Sequence, residues 1–74
     1  MSKSSIQNNI RKLRFLKGEM TQQELADLVQ VSRQTIVAIE KGNYSPSLEL
    51  AFRFAHVFHA PLEEVFSYDP GDDT

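Results

Sequence analysis

The chain has 74 residues and no cysteine. Disulfide bridges, zinc sites built on thiolates and cysteine nucleophiles are therefore excluded, which fits the reducing cytoplasm where we expect the protein to act. Histidine is also scarce, because His56 and His59 are the only imidazoles. They are spaced i, i+3 as two metal ligands on a helix would be, but no third ligand follows at a suitable spacing. We expect no metal and no cofactor.

Long apolar runs are missing as well. None approaches the roughly 20 residues that a membrane span requires, and the start, MSKSSIQNN, lacks the apolar core of a signal peptide. We therefore expect one unexported domain over residues 1–74 with no membrane partner. Residues 69–74 combine turn formers with acids and are expected to form a flexible tail.

Catalytic constellations are absent from the sequence. Glu63 and Glu64 are adjacent, so on a helix they point in different directions and are poor partners for acid–base chemistry. No Ser-His-Asp order or glycine-rich phosphate loop can be assembled, and so small a chain encloses no cleft. We do not expect an enzyme.

Charge is distributed unevenly along the chain. The formal net charge is −2, but residues 1–43 hold seven basic and four acidic side chains, a net +3, whereas residues 44–74 hold one arginine and six acids, a net −5. A basic front and an acidic back suit a protein that binds a polyanion on one side only.

Local signals mark the expected helices. Apolar residues at helical spacing predict a first helix from about residue 7 to Lys17. Thr21 and Glu24 form a capping box, so a second helix begins at Gln22 and ends near Val29. Ser32 caps a third helix, which the Gly-Asn pair at 42–43 ends.

The second half of the chain predicts two further helices. Residues 47–59, SLELAFRFAHVFH, are apolar on more than one face and need cover on two sides. Pro61 opens a short last helix, LEEVF. Residues 66–68 are expected to pair as a short strand with the N-terminal lead-in, residues 1–5.

Residues 22–41 form the pattern of two short helices joined by a sharp turn. Apolar side chains fall where two steeply crossing helices pack together, and they are Leu25, Ala26, Val29, Val31, Ile36 and Ile39. Such a helix-turn-helix presents the N-terminal end of its second helix to the major groove of DNA.

Side chains on the exposed end of the third helix are candidates for base contacts. Arginine can bind guanine and glutamine can bind adenine through two hydrogen bonds each, and small apolar groups can contact thymine methyl groups. The residues in these positions are Ser32, Arg33, Gln34, Val37 and Ala38. The alternatives are that Arg33 contacts only phosphate, that Gln34 is solvated, and that Val37 and Ala38 are merely tolerated.

Polar residues around this helix are candidates for phosphate contacts, which set register and carry no sequence information. They are Gln22, Thr35, Lys41, Asn43 and Tyr44. Gln22 lies at the positive end of the second helix. Its alternative role is ordinary N-terminal polarity, and Thr35 can equally be engaged within its own helix.

Several motifs in order, MTQQELA, VSRQTI, IEKG, YSPSLELA and PLEEVF, make the chain resemble the XRE-type (lambda repressor-like, Cro-type) transcriptional regulators. The resemblance covers nearly the full length. It implies an all-α, five-helix DNA-binding domain, in some members with a two-stranded β-ribbon from the termini. It also implies that Gln30 takes the left-handed turn position usually held by glycine, and that Arg14 and Glu40 form an internal ion pair.

The resemblance further implies a homodimer that represses transcription at a palindromic operator. A monomer this small cannot bury its surplus apolar area, so we expect a dimer interface drawn from Phe52, Phe58, Leu62, Val65, Phe66 and Tyr68. Two alternatives stay open. One is the antitoxin of a toxin–antitoxin pair, which binds DNA and a partner protein; the other is a protein-interaction module that has lost DNA binding.

Overall fold

The computed structural model describes residues 6–69, which form five helices and a small antiparallel ribbon. In chain order the elements are β1 (Ile6–Asn8), α1 (Ile10–Leu16), α2 (Gln22–Val29), α3 (Arg33–Glu40), α4 (Leu48–Phe58), α5 (Leu62–Val65) and β2 (Phe66–Tyr68). The predicted all-α, five-helix fold and its terminal ribbon are thus confirmed. Within these residues no helix has the length and apolar character needed to cross a membrane.

The ribbon changes the predicted start of the first helix. That helix was expected from about residue 7, but β1 pairs with β2 in the register Ile6↔Tyr68, Gln7↔Ser67, Asn8↔Phe66. Backbone groups engaged in this ladder cannot also form a helical turn, so α1 begins only at Ile10. The lead-in predicted to pair, residues 1–5, lies outside the described residues, as do residues 70–74 of the predicted tail.

One apolar core holds the helices together. Phe54, Ile10, Leu25, Ile36 and Val65 are fully buried, and each contributes about 1.5–3 kcal/mol by leaving water. The ring of Phe66 meets Phe54 edge-on, with centroids 5.8 Å apart, and so attaches the ribbon to the core.

Helix α4 packs against both α2 and α5, in agreement with the prediction that it needs cover on two sides, while a remaining side stays exposed. Its buried residues are Leu50, Ala51, Phe54 and Phe58. Leu48 and Phe52, one turn apart on the other side, are 68% and 54% exposed. The apolar surplus of the sequence therefore remains on the surface of the monomer.

Candidate nucleic-acid interface

Helices α2 and α3 form the helix-turn-helix, and local capping sets its limits. Thr21 Oγ1 accepts from the backbone N–H of Glu24 at 3.0 Å, and Glu24 Oε1 accepts from that of Thr21 at 2.9 Å, which confirms the capping box. Gln30 takes φ 66° and ψ 46°, so the expected left-handed turn is confirmed without glycine. Val31 N–H then donates to the carbonyl of Ala26 at 3.0 Å and closes the turn.

The inner faces of both helices are committed to the core. Buried side chains are Leu25, Ala26, Val29, Ile36 and Ile39, and Val31 is half-buried. Because these positions fix which side of α3 faces inward, Arg33 and Gln34 on the other side of its first turn face solvent.

Arg33 and Gln34 form the exposed side of that first turn. Neither side chain forms a hydrogen bond or an ion pair with any residue between 6 and 69, so the side-chain donors remain available to a ligand. Ser32 is different, because its Oγ accepts from the backbone N–H of Thr35 at 3.2 Å and caps the helix. The geometry leaves Arg33 and Gln34 as the free polar groups at the tip of α3.

Thr35 and Ser32 are partly engaged with each other, since their hydroxyl oxygens lie 3.0 Å apart. This contact lies within α3 and its cap, so Thr35 has one hydrogen bond inside its own helix. Val37 and Ala38 lie further along and are half-buried, which leaves only part of each side chain to meet a ligand.

Gln22 belongs to a network that joins three helices. Its Nε2 donates to Oε1 of Glu40 at 3.1 Å, and Arg14 Nε donates to Oε2 of the same carboxylate at 2.8 Å. Arg14 Nη1 also donates to the carbonyl of Met20 at 2.8 Å. The Arg14–Glu40 ion pair implied by the family resemblance is confirmed.

The network alters how Gln22 can hold a phosphate. A carboxylate oxygen only accepts hydrogen bonds, so the amide nitrogen of Gln22 must face Glu40 and its Oε1 points elsewhere. The backbone N–H groups of Gln22 and Gln23 lie at the positive end of the helix dipole and stay available, whereas the N–H of Glu24 donates to Thr21 Oγ1. A phosphate beside Gln22 could therefore be held by these two groups and by the second N–H of the side-chain amide.

The loop after α3 presents Lys41, Asn43 and Tyr44, all exposed. Lys41 also lines an open groove of about 390 Å³ beside α3 together with Gln22, Val37 and Arg11. Arg11 was missed as a site residue. It entered the sequence analysis only through the net charge of residues 1–43, and only the packing of α1 places it beside α3.

The predicted dimer residues fall into three groups. Phe58 is 6% exposed and Val65 is fully buried, so both belong to the core of this chain and their assignment to an interface was wrong. Phe52 is exposed on α4. The others, Leu62, Phe66 and Tyr68, line an apolar groove of about 410 Å³ beside the ribbon, called here the ribbon groove, with Ile6, Glu63 and Ser67.

The ribbon groove lies beside the exposed pair of the ribbon, Ile6 and Tyr68. Side chains two apart on a strand share a face, so this pair lies on the same face as the half-buried pair Asn8 and Phe66. Ile6 is 37% and Tyr68 is 68% exposed. The sequence analysis did not select Ile6, which precedes the first helix predicted from about residue 7.

Metal ligands do not converge in the part of the chain that the structure describes. The rings of His56 and His59 have centroids 6.3 Å apart, and residues 6–69 contain no group of three or more histidine or acidic side chains that could hold an ion.

Comparison with known proteins points to one family. The helix-turn-helix family matches residues 10–65, from the first residue of α1 to the last of α5. An uncharacterized HTH-type transcriptional regulator of Archaeoglobus fulgidus is 55% identical over 53 residues, which are 72% of this chain and 75% of that protein. One of Methanocaldococcus jannaschii is 47% identical over 64 residues, 86% of this chain and 96% of that protein.

A more distant relative carries a more specific name. The cryptic phage CTXphi transcriptional repressor RstR of Vibrio cholerae is 35% identical over 60 residues. These residues are 81% of this chain and 53% of that protein.

Proposed function

The chain belongs to the XRE-type helix-turn-helix family of DNA-binding transcriptional regulators, and we propose that it is a homodimer that represses transcription by occupying a short palindromic operator. The observation that carries the proposal is the exposed side of the first turn of α3, where the side chains of Arg33 and Gln34 have no partner among residues 6–69. Repression is supported by one relative that is named as a repressor, the phage repressor RstR.

Base recognition follows from the chemistry of that turn. Arg33 can donate two hydrogen bonds to a guanine, and Gln34 can donate to and accept from an adenine. Val37 and Ala38 add partial apolar contact along the same helix, and Ser32 sets its start.

Backbone contacts would hold the recognition helix in register. Lys41 and Arg11 share the groove beside α3 with the start of α2. Cations there and the backbone N–H groups of α2 suit the phosphates that flank a major groove. The half-buried Thr35 and the exposed Asn43 and Tyr44 of the loop after α3 are further candidates.

The ribbon groove is the proposed dimer interface. It is apolar, exposed and close to the chain ends, and a second copy would cover Ile6, Phe66 and Tyr68. A two-fold dimer requires two half-sites in inverted repeat, about one helical turn or ~34 Å apart. The exposed Phe52 lies outside the residues that line this groove.

The proposal also implies a cellular location. A repressor that occupies chromosomal or phage DNA in a prokaryotic cell works in the cytoplasm, and it needs no cofactor to do so.

In vitro selection of bound duplex DNA, followed by footprinting at one fixed salt concentration, tests the function. We expect an inverted repeat with its two halves about ten base pairs apart, centre to centre. Arg33→Ala combined with Gln34→Ala serves as the control, because both positions are exposed and their loss leaves the core intact. Enrichment of no sequence by the unaltered chain would favour an interaction module that has lost DNA binding.

A further inference from the structure

Asn8 joins three elements of the fold through one side chain. It ends β1, where its backbone lies opposite Phe66. Its Nδ2 donates to the carbonyl of Ile39 in the last turn of α3 at 2.9 Å, across 31 positions of sequence. Its Oδ1 accepts from the backbone N–H of Ile10, the first residue of α1, at 3.1 Å.

Chemistry fixes the orientation of this amide. A carbonyl oxygen only accepts and a backbone N–H only donates, so the nitrogen of Asn8 must face Ile39 and its oxygen must face Ile10. Both bonds are shielded, because Asn8 is half-buried and Ile10 and Ile39 are buried. A hydrogen bond sheltered from water resists replacement by solvent.

The carbonyl of Ile39 has a second partner. Gly42 N–H donates to it at 3.0 Å, and Asn43 N–H donates to the carbonyl of Ala38 at 3.0 Å. Gly42 takes φ 81°, so α3 ends in a Schellman motif. Asn8 thus attaches the ribbon to the rigid end of α3.

Asn9, the neighbouring asparagine, forms its hydrogen bonds with a different helix. Asn9 N–H donates to the carbonyl of Val65 at 2.9 Å, and Asn9 Nδ2 donates to the carbonyl of Glu64 at 2.9 Å. Both acceptors belong to α5. Two adjacent, identical side chains therefore tie the end of β1 to different helices, and only Asn8 reaches the helix that is to enter DNA.

We propose that Asn8 is a positioning residue that sets the recognition helix relative to the dimer axis, and so fixes the half-site spacing that the repressor accepts. The inference rests on the proposed function, with the ribbon groove at the two-fold axis. A dimer can use only operators whose spacing matches the separation of its two recognition helices. The separation is sharply defined only if α3 is tied to the ribbon that forms the interface.

The test compares Asn8→Asp with Asn9→Asp. Both add one negative charge at the same end of α1, but only Asn8→Asp removes the donor to Ile39 while keeping an acceptor for Ile10. Asn8→Ser removes the same hydrogen bond without adding charge. The serine side chain is shorter, so its hydroxyl does not reach the position of the amide nitrogen that donates to Ile39. Thermal unfolding confirms that each variant is folded at the temperature of measurement.

Binding is measured on the selected operator and on versions with the spacer lengthened or shortened by one base pair. The preference is the ratio of the affinity for the correct spacer to that for an altered spacer. We expect this ratio to fall roughly fivefold to tenfold in both Asn8 variants, which is the scale of one net hydrogen bond. Base preference within each half-site should stay unchanged. Asn9→Asp should keep the spacing preference of the unaltered chain.

Two outcomes would overturn the role of Asn8 alone: an unchanged spacing preference in folded Asn8→Asp and Asn8→Ser, or an equal loss in Asn9→Asp. A different outcome refutes the dimeric repressor and the role of Asn8 together, namely an unaltered chain that selects only single half-sites. The two failures are therefore distinguished by the first measurement on the unaltered chain.

Discussion

Gln22, the first residue of α2, donates its side-chain amide to the carboxylate of Glu40, the last residue of α3, at 3.1 Å. The two ends of the helix-turn-helix are thereby joined directly. Arg14 of α1 binds the same carboxylate at 2.8 Å, so a single glutamate holds the three helices that border the proposed DNA surface.

Removing the charge of Glu40 should destabilise the fold. In Glu40→Gln the guanidinium of Arg14, whose side chain is 15% exposed, keeps its burial but loses its counter-ion. We expect the free energy of unfolding in urea to fall by about 2–4 kcal/mol.

The matched control is Glu49→Gln. Glu49 also forms an ion pair, with Arg53 at 2.9 Å, but its side chain is 77% exposed. That pair should contribute less than about 0.5 kcal/mol. Similar losses in the two variants would show that the burial of the Arg14–Glu40 pair has no energetic consequence.

Arg33 should determine one base pair of the operator. Arg33→Ala is expected to lose about 1–3 kcal/mol of binding at the selected site and to relax preference at a single position. Titration of the operator and its single-base variants at one salt concentration measures both effects. Unchanged affinity, or a uniform loss over all sequences, would assign Arg33 to phosphate instead.

Lys41 and Arg11 should contribute equally to the affinity for every DNA sequence. Each change to alanine should weaken binding evenly across operators and reduce the slope of log affinity against log salt by about 1. Lys12→Ala is the control, because it removes the same charge from α1 but Lys12 does not line the groove beside α3. A changed base preference in Lys41→Ala would contradict the phosphate role.

Tyr68→Glu should produce a monomer. Tyr68 is 68% exposed, so the folded monomer tolerates the change, whereas a carboxylate buried against a second copy has no partner. We expect dimerisation to weaken roughly 100-fold or more, because burying an unpaired charge costs several kcal/mol. Sedimentation equilibrium measures the association.

Phe52→Glu is the comparison for that experiment. Phe52 is an exposed aromatic residue on α4, at 54%, but it does not line the ribbon groove. Dimerisation should survive this change. The reverse pattern, a dimeric Tyr68→Glu and a monomeric Phe52→Glu, would move the interface to α4.

Gln30→Gly should stabilise the chain. Gln30 is exposed and holds φ 66°, a conformation that costs a non-glycine residue about 1 kcal/mol. Part of the gain is offset by the greater freedom of glycine in the unfolded chain, so we expect a net increase of about 0.5 kcal/mol in the free energy of unfolding. Gln30→Ala retains the Cβ atom and should show no such increase.

The sequence by itself determined the elements whose signals are local. Thr21 with Glu24, Ser32 and Gly42 mark the ends of α2 and α3 through bonds to residues only a few positions away. The left-handed turn at Gln30 and the pair Arg14–Glu40 came from the family pattern. These features follow from sequence because the partners are neighbours in the chain or occupy fixed positions in a known motif.

The tertiary structure decided what depends on distant partners. The pairing of β1 with β2 took residues 7 and 8 out of the predicted first helix, and the core enclosed Phe58 and Val65, which the apolar surplus of the sequence had assigned to a dimer surface. Tertiary packing also brings Arg11 and Asn8 next to α3, which is distant from both in the sequence. Apolar character indicates that a side chain will be buried. Only the packed fold decides whether it is buried in the core of its own chain or against a second chain.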